Sequence, residues 1–122
     1  MSKLVRDLIP EIIPKEKRSG LKFTTVDDDT FESLLKDKLI EEVNEFLEAE
    51  RLGKSSNDIL EELADIYEVL ESIMKVKKFA FEELNRVKEQ KKKERGGFEK
   101  QILMEAIHEM NICTSNINKR SI

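Results

Sequence analysis

The 122-residue chain carries 22 Lys and Arg against 26 Asp and Glu, a net charge of −4, with 39% hydrophobic and 39% charged residues. That is one domain's worth of sequence, and with 4 Gly, 2 Pro and no Trp it excludes a turn-rich all-β fold. One cysteine, Cys113, excludes an internal disulfide framework; no apolar run approaches the ~20 residues that span a bilayer, and MSKLVRDLIP lacks a signal-peptide cleavage pattern, so the expected location is cytoplasmic.

Near the N-terminus, Leu4, Leu8 and Ile12 repeat at helical spacing, as do Val5, Ile9 and Ile13. Asp7 is the expected cap of a short helix, with Pro10 in its first turn, where a missing N–H costs little. Residues 20–26 form a connection. Asp29 and Glu32 form a capping signal. Phe31, Leu34, Leu35, Leu39, Val43 and Phe46 then predict an amphipathic helix over about 30–50. After a break at Gly53, Asp58 and Glu61 repeat the capping signal. Ile59, Leu63, Ile66, Tyr67, Leu70, Ile73 and Met74 predict a second long helix over about 58–76. A weaker third helix runs from Phe81 to about Glu94, marked by Phe81, Leu84 and Val87 and stopped by Gly96 and Gly97. Ile102, Leu103, Ala106, Ile107 and Met110 again keep helical spacing, and residues 111–122 read as a polar, frayed tail. The expectation is an all-α antiparallel bundle of about four to five helices in a single domain, residues 1–110.

Charge is segregated along the chain. Residues 27–71 hold 16 acids and 4 bases, whereas residues 75–100 hold 10 bases and 5 acids. Opposite patches suit a ligand that brings both metal ions and phosphates, or are simply two solvated helix faces.

Two acids sit where a solvated acid should not. At about 100° of rotation per residue, Glu42 projects inside the apolar arc of the first long helix and Glu45 at its edge, while Glu41 and Glu48 point outward. On the second helix Glu62 projects between Val69 and Ile73, with Asp65 just outside Val69. Each helix thus presents an i, i+3 acid pair about 5–6 Å apart at Cβ. Antiparallel packing can gather all four carboxylates, which is costly without a counterion because like charges in a poorly solvated cleft repel. Two readings follow: a divalent cation, held by hard oxygen ligands, or cross-helix salt bridges to Lys75, Lys77, Lys88 or Lys91. One histidine and one cysteine do not make a zinc or redox site. Tyr67 is expected in the core, and Phe23 and Phe98 are candidate base-stacking residues. His108 and Cys113 are expected to be peripheral.

Glu41-Glu42-x-x-Glu45, then 16 residues, then Glu62-x-x-Asp65 resembles the EExxE…ExxD pattern of the all-α nucleoside triphosphate pyrophosphohydrolases, the MazG-like superfamily. Residues 3–13 (KLVRDLIPEII), 61–69 (EELADIYEV) and 91–100 (KKKERGGFEK) are similar to its phosphoribosyl-ATP pyrophosphohydrolase-like branch, in the same order. The branch usually has Lys where this chain has Leu8.

The resemblance implies a helical fold assembled as a dimer or a pair of dimers. It also implies hydrolysis of a nucleoside triphosphate between the α and β phosphates, giving the monophosphate and pyrophosphate. It assigns Glu42, Glu45, Glu62 and Asp65 as ligands of Mg²⁺, with Mn²⁺ a possible substitute, and Glu41 or Glu45 as the group that orders the attacking water. On the same footing, Arg6, Lys88, Lys91, Lys92 and Arg95 are candidate phosphate contacts. Arg6 has the alternative of an ion pair with an acid of the next helix. Phosphoribosyl-ATP is the rival substrate, and a non-enzymatic helical interaction module the rival class. Neither a membrane nor a nucleic acid is an expected partner.

Overall fold

The computed structural model describes residues 2–107. The sequence features at His108, Met110, Cys113 and the 111–122 tail lie outside them. Two single-turn helices, α1 (Ile9–Ile12) and α2 (Lys15–Arg18), precede two long ones, α3 (Asp28–Arg51) and α4 (Ser56–Lys77), and then α5 (Phe81–Arg95). The described residues contain these five helices and no strand, an all-α fold. The chain divides into two compact units, one ending at Ala80 and the other beginning at Phe81. No helix is long and apolar enough to cross a membrane among the described residues.

The long helices form where the periodicity predicts them, but their caps differ. Asp27, not Asp29, caps α3: its backbone is extended and its Oδ1 accepts the Thr30 N–H at 2.8 Å. Asp28 and Asp29 instead sit in the first turn, where negative charge is stabilised by the positive end of the helix dipole. Ser55 caps α4 by accepting the Asp58 N–H at 3.2 Å, so Asp58 is the donor's residue and not the cap. Asp7 does not cap α1, whose N-cap is Leu8 with no side-chain bond; Pro10 does fall in its first turn. A cap is chosen by where the backbone leaves the extended region, and neighbouring Asp and Ser residues offer several equivalent candidates in sequence.

Residues 52–55 join α3 to α4. Gly53 takes φ +65°, and the Lys54 N–H bonds back to the Ala49 carbonyl at 3.0 Å, which reverses the chain within one turn. The two helices therefore run antiparallel. Glu32 in the first turns of α3 pairs with Lys77 at the end of α4, and Glu42 meets Glu62 and Asp65 between those ends.

Their shared seam is thin. Leu35, Ala49 and Val69 are its buried apolar residues, flanked by half-buried Phe31, Phe46, Ile66 and Ile73. Ile40, Val43 and Leu47 on α3 and Leu60, Leu63, Tyr67 and Leu70 on α4 remain exposed. Tyr67, expected in the core, is 53% exposed, because two helices alone cover only one face of each other.

In the second unit, α5 ends as expected at Gly96, with φ +81°. The helix expected beyond Phe98 does not form in the described stretch. Ile102 and Ile107 are 81% and 89% exposed. A short amphipathic segment with no face to bury lacks the packing that offsets helix nucleation.

Candidate metal centre

Helix periodicity puts Glu42 on the face of α3 that also carries buried Leu35 and Ala49, and its residue is only 5% exposed. On the facing helix, one turn separates Glu62 from Asp65, both half-buried. One carboxylate oxygen from each of Glu42, Glu62 and Asp65 lies within 4.8 Å of the others. A second triad, Glu41, Glu42 and Glu45, satisfies the same distance within α3 alone. Glu42 belongs to both. Glu45 therefore lies with Glu41 and Glu42, and Glu62 and Asp65 approach from the opposite helix.

Three bases meet this cluster. Lys38, one turn before Glu41 and Glu42, places its ammonium 3.2 Å from Glu41 Oε2 and 3.2 Å from Glu42 Oε1. Lys3 lies 3.6 Å from Glu41 Oε1, and the Arg6 guanidinium donates to Asp65 Oδ1 at 2.6 Å. Of the lysines predicted as salt-bridge partners, Lys77 pairs instead with Glu32, and Lys88 with its neighbour Glu89. Arg6 does form an ion pair, but with Asp65 on α4 and not with an acid of the first long helix, α3. Lys38 was legible in sequence from its i+3 and i+4 spacing to Glu41 and Glu42. Lys3 was not, nor was the choice of Asp65 as the partner of Arg6, because contacts across tens of residues leave no local pattern.

The neutralisation is incomplete. Five carboxylates against three bases leave a formal charge of −2. Glu42 Oε2 and Glu62 Oε2 are buried and have no hydrogen-bond partner among the described residues. Burial pushes the Glu42 carboxyl above the ordinary glutamate range; the Lys38 bond opposes this, while Glu45 and then Asp65 add to it. Burial also pulls the Lys38 ammonium down, but its bonds to Glu41 and Glu42 outweigh that and hold it above the usual lysine range.

No family model, curated protein or solved structure matches this chain.

The arrangement itself can hold a divalent metal ion. Its donors are all carboxylate oxygens, the set that hard ions such as Mg²⁺ and Mn²⁺ prefer. The two orphaned oxygens and the uncompensated double negative charge are what such an ion would satisfy.

Lys88, Lys91, Lys92 and Arg95 are exposed on α5, where Lys88 pairs with Glu89 at 3.2 Å and Lys92 with Glu99 at 3.8 Å. Phe23 and Phe98 are exposed. Leu8, which stands where the resembling branch has Lys, is exposed and contributes no charge.

Proposed function

We propose that the chain is a Mg²⁺-dependent nucleoside triphosphate pyrophosphohydrolase of the MazG-like type, cleaving between the α and β phosphates. One observation carries the reading: a carboxylate 5% exposed, with an oxygen that no described residue satisfies, stands within ligand distance of two acids on the facing helix. Salt-bridged surface acids do not need that placement.

Glu42, Glu62 and Asp65 are the ion's ligands in this reading, with Glu45 completing the set from the exposed side. Bound there, Mg²⁺ would supply Lewis-acid polarisation of the phosphoryl group and a lower pKa for a coordinated water. Glu41, at the edge of the cluster and partly occupied by Lys3 and Lys38, is the acid suited to accept a hydrogen bond from the attacking water and orient it. Arg6, paired with the cluster through Asp65, supplies the planar two-pronged donor that phosphate oxygens require, and Lys88, Lys91, Lys92 and Arg95 are candidate phosphate contacts on the resemblance alone.

The exposed apolar residues Ile40, Leu47, Leu60 and Tyr67 support assembly with further copies of the chain, as a dimer or a pair of dimers. Sedimentation of the purified protein tests that part.

The activity is tested by incubating the protein with a panel of canonical and modified nucleoside triphosphates and phosphoribosyl-ATP, with Mg²⁺ or Mn²⁺, and identifying the products. Release of pyrophosphate with the monophosphate is the expected result. A preference of about tenfold or more for phosphoribosyl-ATP moves the assignment to histidine synthesis. No pyrophosphate from any substrate would leave a helical interaction module.

A further inference from the structure

The bases that meet the acidic cluster come from two different places. Lys38 belongs to α3 itself, on a rigid helix. Lys3 and Arg6 belong to the N-terminal segment, which precedes α1 and has no regular structure of its own. That segment is lightly held. Leu4, Val5, Ile9 and Ile13 are half-buried, Leu8 and Ile12 are exposed, α1 and α2 are single turns without side-chain caps, and Lys3 and Arg6 are 54% and 58% exposed. Segments with few buried contacts open at low free-energy cost.

Arg6 holds Oδ1 of Asp65, a residue of the triad formed with Glu42 and Glu62, and Lys3 holds Oε1 of Glu41, a residue of the second triad. A cation already paired with a carboxylate repels a divalent ion that approaches it and takes up negative charge the ion would otherwise meet. We propose that the N-terminal segment is a cation-linked strap: Lys3 and Arg6 fasten it to the acidic cluster, and a divalent ion entering the cluster competes with them and loosens it. The inference rests on the cluster being a cation site, as proposed above. It adds a consequence that reading does not contain, namely that ion binding and the anchoring of residues 3–13 oppose each other. By linkage the opposition is reciprocal, so weakening the strap tightens the ion. It also places a released guanidinium beside the cluster when a phosphate-bearing ligand arrives with its ion, which suits charge-assisted bonding to phosphate oxygens.

Two measurements on the full chain test this with Mn²⁺ as the probe. Isothermal titration compares wild type, Arg6→Gln and Arg51→Gln. The last removes an equal charge from α3 but pairs only with Glu48 outside the cluster. Arg6→Gln is expected to bind Mn²⁺ about two- to fivefold tighter, the scale of one exposed ion pair removed from competition, and Arg51→Gln to match wild type. Amide hydrogen exchange of the unaltered protein is the second: residues 3–13 are expected to lose protection when Mn²⁺ saturates the site. Unchanged or weaker binding by Arg6→Gln, equal tightening by Arg51→Gln, or unchanged or greater protection of residues 3–13 overturns the strap while leaving the metal centre standing. Failure of the wild type to bind Mn²⁺ at all overturns both.

Discussion

Lys38 Nζ lies 3.2 Å from Glu42 Oε1, one turn along the same helix, while the other oxygen of that carboxylate is buried with no partner among the described residues. One lysine shared between Glu41 and Glu42 holds half of a charge that the seam of α3 and α4 would otherwise reject. This half-satisfied carboxylate sets most of what the protein should do when its surroundings are altered.

Lys38→Met keeps the aliphatic stem and removes the ammonium. The Glu42 charge is then uncompensated, and the protein should lose about 1–3 kcal/mol of stability in the presence of a chelator. Adding Mn²⁺ should restore more stability to the variant than to the wild type, since the ion takes over the role of the lysine. Thermal unfolding with and without Mn²⁺ measures both effects.

Glu42→Gln should change how stability depends on pH. Burial, with Glu45 and Asp65, raises the Glu42 pKa against the opposing Lys38 bond. A carboxyl with a raised pKa keeps its proton longer in the folded than in the unfolded chain. Its contribution therefore declines as pH climbs from the ordinary glutamate range through the folded value. The variant has no such proton, so its stability minus that of wild type should grow across that window and level off above it. Urea titrations at stepped pH with a chelator give the difference curve; a curve that shrinks with rising pH contradicts the assignment.

Glu62→Gln and Asp65→Asn each remove a candidate ligand from α4. Mn²⁺ affinity should fall about tenfold or more in each, and pyrophosphate release should fall with it. Glu61→Gln lies one residue away on the exposed side, where Glu61 accepts from Asn57, and should leave both properties unchanged.

Ser55→Ala removes the hydroxyl that caps α4 through the Asp58 N–H. A loss of about 1 kcal/mol is expected, equal with and without Mn²⁺, because the cap serves the helix and not the cluster. Calorimetric unfolding under both conditions checks it.

Lys78 ends α4 in the left-handed region at φ +61°, a conformation in which its Cβ crowds the following carbonyl. Lys78→Gly should raise stability by about 0.5–1 kcal/mol, the relief of that crowding less the added freedom of glycine in the unfolded chain. The denaturant midpoint is the readout.

Periodicity alone located α3, α4 and α5 and turned Glu42 and Glu62 inward, because a helix carries a repeating apolar stripe and an acid inside that stripe stands out in projection. It also placed a helix beyond Phe98 that the described residues do not contain, since spacing says nothing about whether a second surface exists to receive the stripe. Which of Asp27 and Asp29 caps α3, which acids are left with an unpaired oxygen, and that Arg6 reaches Asp65 were decided only by the tertiary structure. Local pattern is written by contacts three or four residues apart. The charge balance of the cluster is set by groups drawn from the N-terminal segment, α3 and α4, and no short-range regularity encodes their meeting.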